Sequence, residues 1–475
     1  MRFSRSAMER PFNRSTLGLC LLLLVLLGSL TLGQGLLSTA HAQTAAKTNP
    51  LQYDQFLLQD TAGQFKHWKL NGVKLQGDIF GRASLQLKSE NKKALTCTSS
   101  DIDGGTASYN ATAGLCAGTD PMAAGSYDTG INYYNGGSFY YGTLTSPVIK
   151  TKQEITTIIS SWDATTPTGT WLEVHVRTLE NASWTHWYDL PIWASDFSTI
   201  SRHSVDGQAD DGGSIATDTY YTNNVNATAY QLSYTLFTTS PSTSLTLRRI
   251  SAIASFDVTD SSQFPVVAPD KSAWGINLPV PERSQNLTQY TGLGFGGGGE
   301  VWCSPTSTSM VAAYWSKLLG DSALNETVPD TARDTYDYTY DGTGNWPFNT
   351  GYTGGKGLRS FVTRMYSLSQ IEQWIKVGVP VVISIAFGIG QLPGATYSTS
   401  GHLMVVRGFT ATGDVIANDP AMGGTTSNAG VQIVYPRAIF QSLWLNASNG
   451  TVYINYPEHW TTPTKDALGS WSGDF

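Results

Sequence analysis

Apolar residues recur at every second position in the first half of this chain. Tyr230, Leu232, Tyr234 and Leu236 alternate with polar neighbours, and Leu172, Val174 and Val176 alternate with Glu173, His175 and Arg177. Period-two alternation places one face of a strand against a core and the other away from it. Ser244–Val258 is a third run, dense in β-branched and apolar residues. Asn181-Ala-Ser and the Asp206–Gly213 cluster punctuate the runs with turn-forming residues. Residues 50–268 therefore predict many short strands and a β-sandwich or jelly-roll-like architecture, with no repeat at a fixed period.

The pattern changes at Phe264-Pro-Val-Val-Ala-Pro269. Beyond it, Cys303–Trp315 carries Pro305 just inside a helix start, where proline is tolerated. Ser369 and Glu372 have the spacing of a capping box ahead of Trp374 and Ile375, and Gly378 ends that helix. Val379–Ile385 reads as a buried strand. His402–Phe409 and Val415–Asp419 read as a hairpin around a Thr/Gly turn. The expected organisation is a β-rich region over 43–268, then an α+β domain over 269–475 built from one helix and a strand meander.

The N-terminus follows a different grammar. Arg2, Arg5, Arg10 and Arg14 precede the apolar run Leu17–Leu32, and Ala40-His41-Ala42 supplies a small-x-small cleavage site. Residues 1–42 are expected to be a secretory signal peptide, because the apolar run falls short of the ~20 residues a span needs. No later stretch is long and apolar enough to span. The mature protein is thus expected to be secreted, without a membrane span. Cleavage removes four arginines and one glutamate, taking the net charge from −7 to −10. An acidic chain with no run of four basic residues excludes nucleic-acid binding as a function. Charged residues at 14% and aromatics at 11% exclude disorder.

Four cysteines carry the next inference: Cys20, Cys97, Cys116 and Cys303. Cys20 leaves with the signal peptide. Cys97 and Cys116 flank a polar loop suited to a disulfide in an oxidising compartment. Cys303 remains as the lone thiol, directly before the predicted helix and after Gly296–Gly299. Unpaired N–H groups at a helix start stabilise thiolate over thiol, as a nucleophile requires. His402 can serve as its proton donor, and the hairpin brings Asp419 across from it within a residue or two. A carboxylate there would fix the imidazole tautomer, although Asp419-Pro420 is also an ordinary turn starter.

Trp302-Cys303-Ser-Pro-Thr-Ser, Gly401-His402-Leu-Met-Val-Val-Arg-Gly-Phe409 and Ile416-Ala-Asn-Asp419-Pro420 together resemble the bacteriocin-processing, double-glycine-type peptidase-like family over about residues 270–460. The resemblance implies a papain-like cysteine peptidase. Cys303 would be nucleophile, His402 general acid/base and Asp419 the orienting residue. It also implies an oxyanion-hole glutamine upstream of the cysteine. Gln285 and Gln289 are the candidates, and Gln285 is favoured because Leu278-Pro-Val-Pro281 stiffens its approach. The transporter segments of leader-trimming members are absent, so a double-glycine leader is not implied as substrate.

The expected partner is a peptide or protein substrate, with no cofactor and no metal. A cell-wall amidase or isopeptidase with the same triad is the nearest alternative. A carbohydrate- or surface-binding protein with an inactive peptidase-like domain is the other. Trp184, Trp187, Tyr188 and Trp193 could contact glycan or cell wall, but core packing accounts for such aromatics as well. Asp206, Asp210 and Asp211 match no standard calcium loop and read as a solvated turn.

Overall fold

Tyr230, Leu232, Tyr234 and Leu236 are fully buried on one face of the strand Ala227–Thr238 in the computed structural model. The structure describes residues 54–463 except 90–92, 100–101, 103–105, 121–136, 197, 199, 224–226, 257–261, 263 and 265. The proposed signal peptide lies outside the described residues. Among the described residues the secondary-structure elements of the N-terminal half are almost all antiparallel strands, in one seven-stranded and one nine-stranded sheet. The strands Thr157–Thr165 and Thr246–Ser255 pair at the centre of the first sheet. Thr170–Glu180 and Ala227–Thr238 pair in the second. Ile158, Trp162 and Ile250 of the first sheet share a core with Leu172, Val174 and Leu232 of the second.

The alternation in Thr170–Glu180 has an unexpected outcome. Its polar side is buried too: Glu173 and His175 are as inaccessible as the valines behind them. The strand Tyr188–Trp193 pairs along its edge and sets Asp189 opposite His175.

The C-terminal half is α+β. The helix Cys303–Leu319 is buried from Ser304 to Trp315 and ends at Gly320, whose positive φ of 71° suits a residue without a Cβ. It packs on a six-stranded sheet in which Val381–Phe387, Thr399–Phe409, Val415–Asn418 and Gln432–Tyr435 form a meander. Thr451–Pro457, late in the chain, inserts between Val381–Phe387 and the edge strand Leu358–Arg364. The described residues hold more helix than one helix and a meander. Val328–Thr335 and Trp346–Gly355 are capped by Thr327 and Asn345, with proline in the first turn of each. Arg437–Ser448 is a further helix. The Ser369–Glu372 capping box does not form. Ser367 caps the helix Leu368–Lys376 instead. Glu372 is fully buried, accepts from the Trp274 indole at 2.8 Å and pairs with Arg437 at 2.6 Å. A carboxylate drawn into that network cannot reach back to a cap.

The two halves share their cores. Phe348 and Tyr352 pack among the N-terminal strands, while Phe56, Ile159 and Ile253 pack among the C-terminal residues. Polar bonds reinforce this join: the Val362 amide donates to Ser161 Oγ at 3.0 Å and the Ser360 amide to Asp163 at 3.3 Å. Asp163 is fully buried and also pairs with Arg249. Burial pushes its carboxyl up to about 6 despite that arginine.

Candidate active site

Cys303 is the first residue of its helix, preceded by Trp302, which offers no side-chain cap. The first-turn amides are therefore unclaimed by any side chain of the cap, and the Ser304 and Leu403 amides donate toward the sulfur. Cys97 and Cys116 form a disulfide, leaving Cys303 as the free thiol among the described residues. His402 lies near the start of Thr399–Phe409, alongside the helix, close enough for its ring to favour ionisation of the thiol. Its Nε2 lies 2.8 Å from Asp419 Oδ1, which leaves Nδ1 as the nitrogen for the sulfur.

The hairpin register explains the second contact. Val405 pairs with Asn418 and Val406 with Ala417, so Asp419 lies diagonal to His402 just past the strand end. Neighbouring Asn418 points elsewhere, holding the Val280 and Pro281 carbonyls and Arg407. Asp419 both meets His402 and starts a turn. Its Oδ1 also accepts from the Ala421 amide at 3.0 Å, capping the short turn Pro420–Met422. Two tyrosines complete its shell: Tyr397 and Tyr435 donate to Oδ2 at 2.8 and 2.7 Å. Every oxygen of this buried carboxylate is thus paired, as a charge out of water requires.

The electrostatics follow from this packing. Burial pushes the Cys303 thiol up, but the hydrogen bond and charge of His402 outweigh it and hold the thiol below its ordinary value. Burial disfavours the imidazolium as well, yet Asp419 and the thiolate raise His402 to about 10. Asp419 itself is lowered because His402 and both tyrosines overcome its burial. Both shifts favour the charged partners, thiolate at Cys303 and imidazolium at His402.

Gln285 joins this group from 18 positions upstream of the cysteine. Its side-chain amide donates to the Glu300 carbonyl at 2.9 Å, and its own backbone amide donates to Pro420 at 3.1 Å. The glycine stretch makes the approach possible, since a Cβ on Gly299 would run into the Gln285 carbonyl. Thr291 and Gly298 bridge, so the intervening residues form a closed excursion. Gln285 is buried and lines a cleft of about 700 Å³ together with Cys303 and His402. Gln289 is exposed and outside that lining.

Residues 55–255 match the Peptidase C39 N-terminal domain, and residues 277–452 match the Peptidase C39 like family. The chain belongs to the C39-like peptidases. A solved structure of a Bacillus anthracis protein assigned as a C39-like peptidase is 15% identical, with a TM-score of 0.27; the match covers 39% of this chain and 98% of that one. No curated protein matches the chain.

As a C39-like peptidase, the chain is a cysteine-type peptidase acting on peptide or protein substrates. No helix among its described residues is long and apolar enough to cross a membrane. Glycan contact is not supported by the described residues of the N-terminal half. Tyr188 and Trp193 are core residues, and Trp184 and Trp187 flank the Arg177 guanidinium at 4.7 and 4.6 Å. Asp210 behaves as a turn residue, accepting from the Gly212 and Gly213 amides and from His186 and Tyr188. One cluster was not legible as such: Glu173, His175 and Asp189 each bring a possible ligand atom within 4.8 Å of the others. Tyr397 and Tyr435 were also missed. Tyr435 ends the last strand of the meander, and that pairing order was the one signal that could have placed it beside Asp419.

Proposed function

We propose that this C39-like peptidase hydrolyses peptide bonds through Cys303, His402 and Asp419, with Gln285 as oxyanion donor, after export directed by residues 1–42. The observation that carries this reading is the thiol–imidazole–carboxylate chain opening onto one cleft. The Cys303 thiolate attacks the scissile carbonyl, and a tetrahedral oxyanion forms beside the helix start. The Cys303 backbone amide and the free N–H of the Gln285 side chain are the donors for that charge. His402 then gives its proton to the leaving amine, releasing it and leaving a thioester. Water, deprotonated by His402, attacks the thioester and restores the thiolate–imidazolium pair. Asp419 holds the ring through Nε2 throughout, so the other nitrogen always faces the sulfur.

Residues 43–268 act as a permanent companion of the catalytic region 269–475, given the shared cores. The test is cleavage of an unbiased peptide library by the full mature chain and by its Cys303→Ala variant. Cleavage products that vanish in the variant support the reading. Equal cleavage by both proteins, or none by either, overturns it.

A further inference from the structure

The cleft around Cys303 is built by both halves of the chain, and apart from His402 and the Cys303 thiol its ionisable acid–base groups are carboxylates and tyrosines. Ala216–Thr219 and Tyr221, at the turn joining Gly213–Ala216 to Thr219–Thr222, line it from the N-terminal half. Asp218, Glu300 and Asp341 line it as well, whereas no lysine or arginine does among the described residues. Asp218 is buried, accepting from the Trp346 amide at 2.6 Å and from the Thr219 hydroxyl at 2.9 Å. Burial and the neighbouring Asp337 push its carboxyl up to about 6. Glu300 and Asp341 are exposed on the rim, and Glu300 lies three residues before the thiol.

A second observation is independent of charge. Thr343 lines the same cleft, and its buried Oγ1 has no hydrogen-bond partner. Gln285 Oε1 is in the same condition. Beyond His402 the charged groups of the wall are thus carboxylates, and an unpaired hydroxyl and an unpaired amide oxygen, which can also accept, lie buried in it. Lysine and arginine side chains are the donor-only groups of a peptide, with three and five N–H donors.

We infer that the cleft selects substrates with a lysine or arginine side chain within a residue or two of the scissile bond, using Asp218, Glu300 and Asp341 as its counter-charge. The 216–221 turn then makes the N-terminal half a specificity wall of the peptidase. This inference rests on the catalytic reading of Cys303.

The experiment uses the full mature chain with fluorogenic peptides that differ at one position among lysine, arginine, norleucine and glutamate. The expected preference for lysine or arginine over norleucine is on the order of tenfold in kcat/KM, shrinking as salt is raised. Asp341→Asn and Glu300→Gln should each lower that ratio by roughly threefold, and Asp218→Asn by more. Asn tolerates the positive φ of 51° at position 341, so that variant carries the test if Asp218→Asn fails to fold. Cys303-dependent cleavage with no cationic preference, or a ratio unmoved in the variants, overturns the inference and leaves the catalytic reading standing. Absence of any Cys303-dependent cleavage overturns both.

Discussion

Two buried histidine–aspartate pairs occur among the described residues, and they have opposite surroundings. His402 meets Asp419 at 2.8 Å and His175 meets Asp189 at 3.0 Å. Both imidazoles are almost wholly out of solvent. The His175 pair has a second carboxylate, Glu173, at 3.7 Å, and sits within a sheet. The His402 pair has a thiol on its free side and two tyrosines on the far oxygen of its carboxylate, and it faces a cleft. An imidazole–carboxylate pair by itself is a structural unit. What turns one into chemistry is an ionisable nucleophile on the second nitrogen and room for a reacting atom.

The strongest way to break this comparison is to remove the two histidines separately. His402→Ala, like Cys303→Ala, should lower peptide hydrolysis by about 10⁴-fold or more while leaving the fold intact. His175→Ala should do the reverse. Losing one partner of a buried charged cluster costs about 3–5 kcal/mol, visible as a drop in Tm. Cys303 alkylation per folded molecule should stay within about twofold of the parent chain, because the two clusters belong to different sheets. Hydrolysis within tenfold of the parent in His402→Ala would refute the assigned roles.

Asp419 ranks next. Asp419→Ala should cost roughly 10²–10⁴ in kcat, and Asp419→Asn less, since the amide still holds the ring but cannot balance imidazolium. The pH profile sharpens this. Activity should rise as Cys303 ionises below its ordinary value and fall as His402 loses its proton near about 10. Asp419 is the main cause of the raised imidazole, so its removal should draw the alkaline limb downward. A limb that stays in place would show that the raised value comes from the thiolate alone.

Gln285→Ala should lower kcat by roughly 10²–10³ with little change in KM, and Gln289→Ala by less than about twofold. The smallest effect belongs to the tyrosines. Tyr435→Phe or Tyr397→Phe removes one of two donors to Asp419 Oδ2, and a loss of about threefold to tenfold in kcat is expected. A tyrosine variant as damaging as Asp419→Ala would mean that the hydroxyl does more than hold the carboxylate.

The sequence made much of this legible, for physical reasons that differ by element. Strict alternation marked Tyr230–Leu236 because one face meets an apolar core. It misled at Glu173 and His175, since alternation reports side-chain polarity and not whether another strand covers the polar face. The lone thiol and the His402–Asp419 hairpin were readable from local chemistry and chain order. The extra helices at Val328 and Trp346 were signalled by Thr-Val-Pro and Asn-Trp-Pro starts that carry little apolar periodicity. Glu372 had the spacing of a capping residue, but tertiary bonds to Trp274 and Arg437 outweighed a local one. The tyrosine pair on Asp419 depended on sheet order, which no local pattern encodes.

The bonds from Ser161 and Asp163 to the edge strand Leu358–Arg364 bear on how this enzyme could mature. A cut between the halves would release nothing, since the severed pieces would remain joined through Phe348, Tyr352 and these polar anchors. Expressed without its first half, the catalytic region would present the Ser360 and Val362 backbone amides to water and uncover two aromatic rings. The N-terminal region therefore has the standing of a subunit that happens to be covalently attached, and the two are expected to be gained or lost together.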